Sequence, residues 1–171
     1  MRSERLRNEE QALREFASRS DGLVNVLSVS AGDALEIKLA LRMPIAINDR
    51  FPAVAASSVE VMLFAPRGYP LSGELKATFL APVPFHPNVY DGGTICFGQA
   101  LSPSMTMKRL LEMIAQMMAF ESPPTDSRSP ANRPAAIWYE AKKVELRFPT
   151  RTISFVAIES RSAILNWKDI K

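Results

Sequence analysis

Apolar residues recur along the chain first with a helical period, then with a period of two, then with none, and then helically again. Leu6, Leu13 and Phe16 fall at helical spacing among arginines and glutamates, and Ser20-Asp21-Gly22 stops the run. From there the period drops to two. Leu23, Val24, Val26, Leu27 and Val29 predict a strand, turned by Ala31-Gly32-Asp33, and Leu35 to Leu41 alternates as a half-buried strand does. Pro44, Asn48-Asp49 and Pro52 mark a longer loop before a third strand, Val59 to Phe64, closed by Pro66 and Gly68. Leu75 to Phe79 makes a fourth. A helix followed by an antiparallel meander gives an α+β order, distinct from alternating βαβ units.

Between Pro82 and Pro103 no regular pattern survives, and a structureless stretch that long inside a compact domain is usually functional or flexible. The clearest helix follows. Met107, Leu110, Leu111, Ile114, Met117 and Met118 share one face, whose methionines read as core packing. Ser102-Pro103 has the form of a cap and a helix-starting proline, with Thr106 as the later alternative. A Pro/Ser crossover from Ser122 to Pro134 leads to another helix, Ala135 to about Lys143. Val144 to Phe148 and Ile153 to Ala157 then read as strand-like. The expected organisation is one domain over residues 1–143, with 144–171 as an extension packed on it or prolonging it.

Composition narrows the chemistry. With 47% hydrophobic residues over 171 positions the chain is not a disordered one and can bury a sizeable core. Cys96 is the sole cysteine and His86 the sole histidine, which excludes an internal disulfide and speaks against a Cys/His zinc site. The net charge of +3 is unevenly spread. Residues 142–171 hold seven basic and three acidic groups, whereas 20–141 hold nine and eleven, a poor footprint for nucleic-acid binding. No signal-type or membrane-spanning run appears, and with a lone thiol this predicts a cytoplasmic protein.

That lone thiol lies in the irregular segment, within Asp91-Gly92-Gly93-Thr94-Ile95-Cys96, just after a glycine turn where the backbone can admit another molecule. An isolated cysteine is commonly a small buried hydrophobe; its neighbours favour a nucleophile. His86 is the available base for a Cys–His hydrolase, but a histidine beside Pro87 also suits holding a turn through the backbone. Asn88 then offers an amide suited to an oxyanion, or a side chain that orders the turn.

His86-Pro87-Asn88, seven intervening residues and Cys96 resemble the active-site signature of ubiquitin-conjugating enzymes. Further likenesses fall in family order. Tyr69-Pro70 follows the third strand, Ser102-Pro103 precedes the long helix, and Ser129-Pro130-Ala131-Asn132 with Ala135-Ala136 and Tyr139 resembles the closing crossover and helix. The resemblance covers about residues 3–143 and implies a ubiquitin-conjugating-like fold: an N-terminal helix, a four-stranded meander, a long active-site loop and then helices, here with an atypical strand-like C-terminal extension. It also implies a thiol relay. Cys96 accepts a ubiquitin-like protein as a thioester from an adenylating activating enzyme and passes it to an amine, normally a lysine, of a protein target. Asn88 stabilises the oxyanion or orders the loop, while His86, Pro87 and Tyr69 are structural. The step needs no metal or organic cofactor.

Several positions depart from the pattern. Leu101 replaces the usual tryptophan before serine-proline, Leu71 is followed by Ser72-Gly73, and Ser129 stands where many members place an acid; Asp126 is a nearby substitute on the acceptor side. These departures resemble the bacterial members encoded in phage-defence operons. The alternatives are a catalytically silent module that binds a ubiquitin-like protein, and the Cys–His hydrolase.

Overall fold

In a computed structural model, residues 4–121 and 128–149 are described. The order is α1 (Glu4–Arg19), β1 (Val24–Ala31), β2 (Leu35–Leu41), β3 (Ile45–Ala46), β4 (Ala55–Ala56), β5 (Val59–Ala65), β6 (Lys76–Phe79), α2 (Met107–Met118) and α3 (Arg133–Lys142). β1, β2, β5 and β6 form an antiparallel sheet in that spatial order, so the expected four-stranded meander is present. The longer loop between β2 and β5 holds a second, two-stranded ribbon of β3 and β4. Strands of two residues each, set among Pro44 and Pro52, are too short to leave a periodic signal.

Burial follows the alternation. Val59, Val61, Leu63 and Ala65 of β5 turn inward while Glu60, Met62 and Phe64 do not. The pattern of β1 is less regular because its register with β2 shifts between Val26 and Ser28, a bulge that leaves Leu27 exposed. Over the sheet, α1 contributes Leu6, Leu13 and Phe16, and α2 contributes Met107, Leu110, Leu111, Ile114 and Met118 to one core. The methionine stripe is therefore buried packing. Ser20 ends α1 by donating to the Ala17 carbonyl at 2.8 Å and accepting the Val24 amide at 3.0 Å.

The start of α2 is at the later of the two sites. Thr106 is the cap, its hydroxyl accepting from the Arg109 amide at 3.1 Å. Ser102 instead closes a turn, accepting the Met105 amide at 2.8 Å. The first helical amide, that of Met107, donates to the Glu9 carboxylate of α1 at 2.8 Å. A carboxylate is favourable at a helix N-terminus, where unsatisfied amides carry partial positive charge. Glu9 is 3% exposed and is also paired with Arg5 at 2.8 Å. The Tyr69 hydroxyl joins the same junction, accepting from Arg5 at 3.0 Å and donating to the Met105 carbonyl. Burial pushes the Tyr69 phenol above its ordinary pKa.

The C-terminal end differs from the expectation. Residues 144–148 form a turn that continues α3, with the Leu146 amide bonded to the Lys142 carbonyl at 2.9 Å. Alternation in Val144-Glu145-Leu146-Arg147-Phe148 reflects two apolar residues folded back onto an aromatic cluster, with Val144 in solvent. No strand lies alongside to pair with them among the described residues. The second expected strand, 153–157, lies outside the described residues.

Replacing the buried Glu9 with alanine strips the α2 terminus of its partner and removes the ion pair with Arg5. It should lower unfolding free energy by about 1–3 kcal/mol in urea denaturation. A loss under about 0.5 kcal/mol, the range of ordinary surface changes, would contradict this role.

Candidate active site

Residues 88–96 are a short hairpin laid against the edge of the sheet. Val89 and Ile95 form an antiparallel bridge, the Tyr90 amide donates to the Thr94 carbonyl at 3.0 Å, and the Cys96 amide donates to the Asn88 carbonyl at 2.8 Å. These contacts share one register, which sets Asn88 opposite Cys96. Opposed residues of an antiparallel pair carry their side chains on one face, with Cβ atoms about 4.5–5.5 Å apart. The eight-residue step from Asn88 to Cys96 is thus the length of a hairpin centred on Gly92.

Glycine is required at the turn. Gly93 has φ of 84°, and a Cβ there would lie 2.1 Å from the Phe79 carbonyl oxygen. The close approach serves docking: the Phe79 amide donates to the Gly93 carbonyl at 2.9 Å, and Thr94 bridges Thr78. Val89 and Ile95 anchor the hairpin in the main core, leaving Asp91, Gly92 and Thr94 at the surface. Cys96 is half-buried, while Asn88 is 3% exposed.

His86 holds the base of this hairpin. Its Nδ1 accepts the Asn88 amide at 3.1 Å, which puts the ring proton on Nε2. The imidazole is 1% exposed and stacks on Phe120 with centroids 4.8 Å apart. Burial lowers its pKa to about 3; the nearby Met117 carbonyl pulls the other way but closes no hydrogen bond with Nε2. A neutral imidazole whose lone pair is committed to a backbone amide is a poor general base, so the Cys–His hydrolase expected as one alternative lacks its base. Pro87 is buried, and its carbonyl accepts the Asn132 amide at 3.1 Å. Asn132 also caps α3, its side chain accepting from the Ala135 amide at 3.0 Å. The crossover is thereby tied to the His86-Pro87-Asn88 turn.

The remaining expected site residues are more dispersed. Tyr69 belongs to the α1–α2 junction described above. Ser129 is exposed and borders an open groove with Arg128, Pro130, Arg133 and Ile137. Asp126 lies outside the described residues. Among the described residues, no three or more ligating side chains converge on a metal position, and no helix is long and apolar enough to cross a membrane. Phe120 was visible in the sequence only as one more apolar position after the α2 stripe, and its contact with His86 had no sequence signal.

The His86 environment makes stability depend on pH. The unfolded chain takes up a proton near the ordinary histidine pKa of 6.5, while the folded chain resists until about 3. Stability is therefore complete above the unfolded value and falls as pH drops below it, by about 2 kcal/mol between about pH 7 and about pH 5. Urea midpoints across that interval should decline in the wild type and stay nearly level in His86→Gln. An equal slope in both proteins would contradict the assignment.

The model of the ubiquitin-conjugating enzyme family matches residues 56–152, more than half of the chain. No curated protein matches it. The match takes in β5, β6, the Asn88–Cys96 hairpin, α2 and α3, and the helix, antiparallel sheet and following helices are those of the family's α+β fold. This chain belongs to the ubiquitin-conjugating enzyme family.

Proposed function

We propose that Cys96 carries a ubiquitin-like protein as a thioester and that Asn88 serves its transfer to an amine. The observation that carries this reading is the hairpin register, in which the Asn88 carbonyl receives the Cys96 amide and the two residues stand opposite one another. In loading, the Cys96 thiolate attacks the thioester carbonyl presented by the activating enzyme, the new C–S bond forms, and the enzyme's thiolate leaves. In transfer, a lysine amine attacks the carbonyl, the oxyanion collapses, the C–S bond breaks, and Cys96 regains its thiolate as the nitrogen loses a proton. ATP is spent earlier, by the activating enzyme.

An amide donor preorganised near a developing oxyanion lowers a barrier without reorganisation, because burial fixes it and excludes water. The burial of Asn88 and its place opposite Cys96 support that role. His86 and Pro87 hold the turn, and Ser129, exposed at the crossover, and Asp126 are the acceptor-side proposals. Tyr69 acts at a distance by fixing the segment that leads from Cys96 into α2. Leu101 and Ser129, both departures from the common pattern, support placing the chain in a bacterial phage-defence conjugation pathway; adjacent genes for a ubiquitin-like protein and an activating enzyme would bear on this directly.

Cys96→Ala should abolish the thiol-labile adduct formed with activating enzyme, ATP and the ubiquitin-like protein. Asn88→Ala should still load and should discharge to free lysine about 100-fold to 1,000-fold more slowly. Loss of loading and discharge together in Asn88→Ala would show that the residue supports folding alone. An undiminished adduct in Cys96→Ala would overturn the reading.

A further inference from the structure

The His86 turn rests on a residue whose backbone takes a conformation that residues with a side chain avoid. Phe120 follows the last turn of α2, where its amide donates to the Met117 carbonyl at 2.9 Å and the Glu121 amide to the Gln116 carbonyl at 3.0 Å. This pair of bonds is the Schellman closure of a helix, and it needs a left-handed residue at the position after the cap, usually glycine. Phe120 has φ of 57°, a region disfavoured for any residue with a Cβ and an outlier for a bulky one. Glycine would close α2 with less strain, so the ring itself is what the position supplies.

That ring is 4% exposed and lies within a stack. Its centroid is 4.8 Å from the His86 imidazole with the planes 29° apart, and 4.2 Å from Phe148 with the planes 22° apart. Tyr139 of α3 stacks on both Phe120 and Phe148, at 5.6 and 5.5 Å. Phe148 comes from the turn after α3. A continuous line of contacts therefore runs from Phe148 through Phe120 to His86, from Nδ1 to the Asn88 amide, and from the Asn88 carbonyl to the Cys96 amide.

We infer that Phe120 is a positioning residue for the Asn88–Cys96 pair, its ring clamped by Phe148 so that the His86 turn keeps one orientation. The inference rests on the reading of Cys96 and Asn88 given above. It adds the turn after α3 to the parts that set the site's geometry. Flat rings stacked at these spacings resist tilting, whereas an aliphatic filler of similar volume fills space without fixing the imidazole plane. Small misplacements of a reacting group slow a reaction steeply, and binding of the partner protein need not change.

The test compares Phe120→Leu and Phe148→Leu, which keep apolar bulk but lose the ring, with Phe148→Tyr, which keeps it. Leu146→Ala is the control, since Leu146 packs on the same aromatic cluster without joining the stack. Loading by the activating enzyme, discharge to free lysine, thermal midpoint and the His86 ring resonances in NMR spectra of the unloaded protein are measured for each. Both leucine variants should load normally and discharge about 10-fold to 100-fold more slowly. Phe148→Leu, which removes a ring stacked on Phe120 and leaves the ring next to His86 in place, should displace the His86 resonances. Phe148→Tyr should match the wild type. Leu146→Ala should melt earlier yet discharge normally, with His86 unmoved. Discharge that slows in Leu146→Ala in step with its lost stability, or undisturbed His86 resonances in Phe148→Leu, overturns the inference. Should Phe120→Leu fail to fold, the Phe148 pair decides by the same measurements. A wild type that never loads overturns the reading of Cys96 instead, and the His86 resonances then still decide whether the stack holds the turn.

Discussion

One backbone hydrogen bond, from the Cys96 amide to the Asn88 carbonyl, organises the hairpin on which the proposed chemistry depends. By fixing the register of the hairpin it makes two residues eight positions apart into neighbours on one face. A slip of one residue would send one side chain to the opposite face, because side chains alternate along a strand. The surrounding contacts maintain that register. Gly93 lets the turn press against the Phe79 carbonyl, His86 accepts the amide of Asn88, and the Asn132 amide donates to the carbonyl of Pro87.

Two polar and aromatic centres hold the ends of the long segment that contains the hairpin. On one side Glu9 joins α1 to the first amide of α2 while Tyr69 binds the Met105 carbonyl just before it. On the other side the rings of Phe120, Trp138, Tyr139 and Phe148 form a block behind His86. The segment between them is irregular in its dihedrals yet anchored at both ends and in its middle. A lack of regular secondary structure is thus compatible with a fixed geometry, which the proposed acyl transfer would need.

Much of this was legible in the sequence, for identifiable reasons. Residues of β2 and β5 announced themselves because apolar residues alternate with mostly polar or half-buried ones along them, and α2 did so because six apolar positions share a helical face. The lone thiol after a double glycine pointed to the site, since a tight turn with a close backbone approach needs glycine. Other features were hidden. Glu9 looks like any surface glutamate of a charged helix, and only the arrival of α2 makes it a cap. Leu146 and Phe148 imitate a strand because a compact turn can also bury alternate residues, and the sequence carries no mark of the missing strand partner. Phe120 sits where glycine is expected, and its purpose lies in a ring from a distant part of the chain.

The proposed chemistry requires that a single acyl group ride on Cys96. Incubating the protein with its activating enzyme, ATP and the ubiquitin-like protein, then recording the intact mass before and after treatment with thiol, tests this most directly. The mass should rise by one ubiquitin-like protein less one water and fall back on thiolysis, with the adduct mapped to the peptide containing Cys96. A thiol-resistant adduct, or one mapped to a peptide without Cys96, would contradict it.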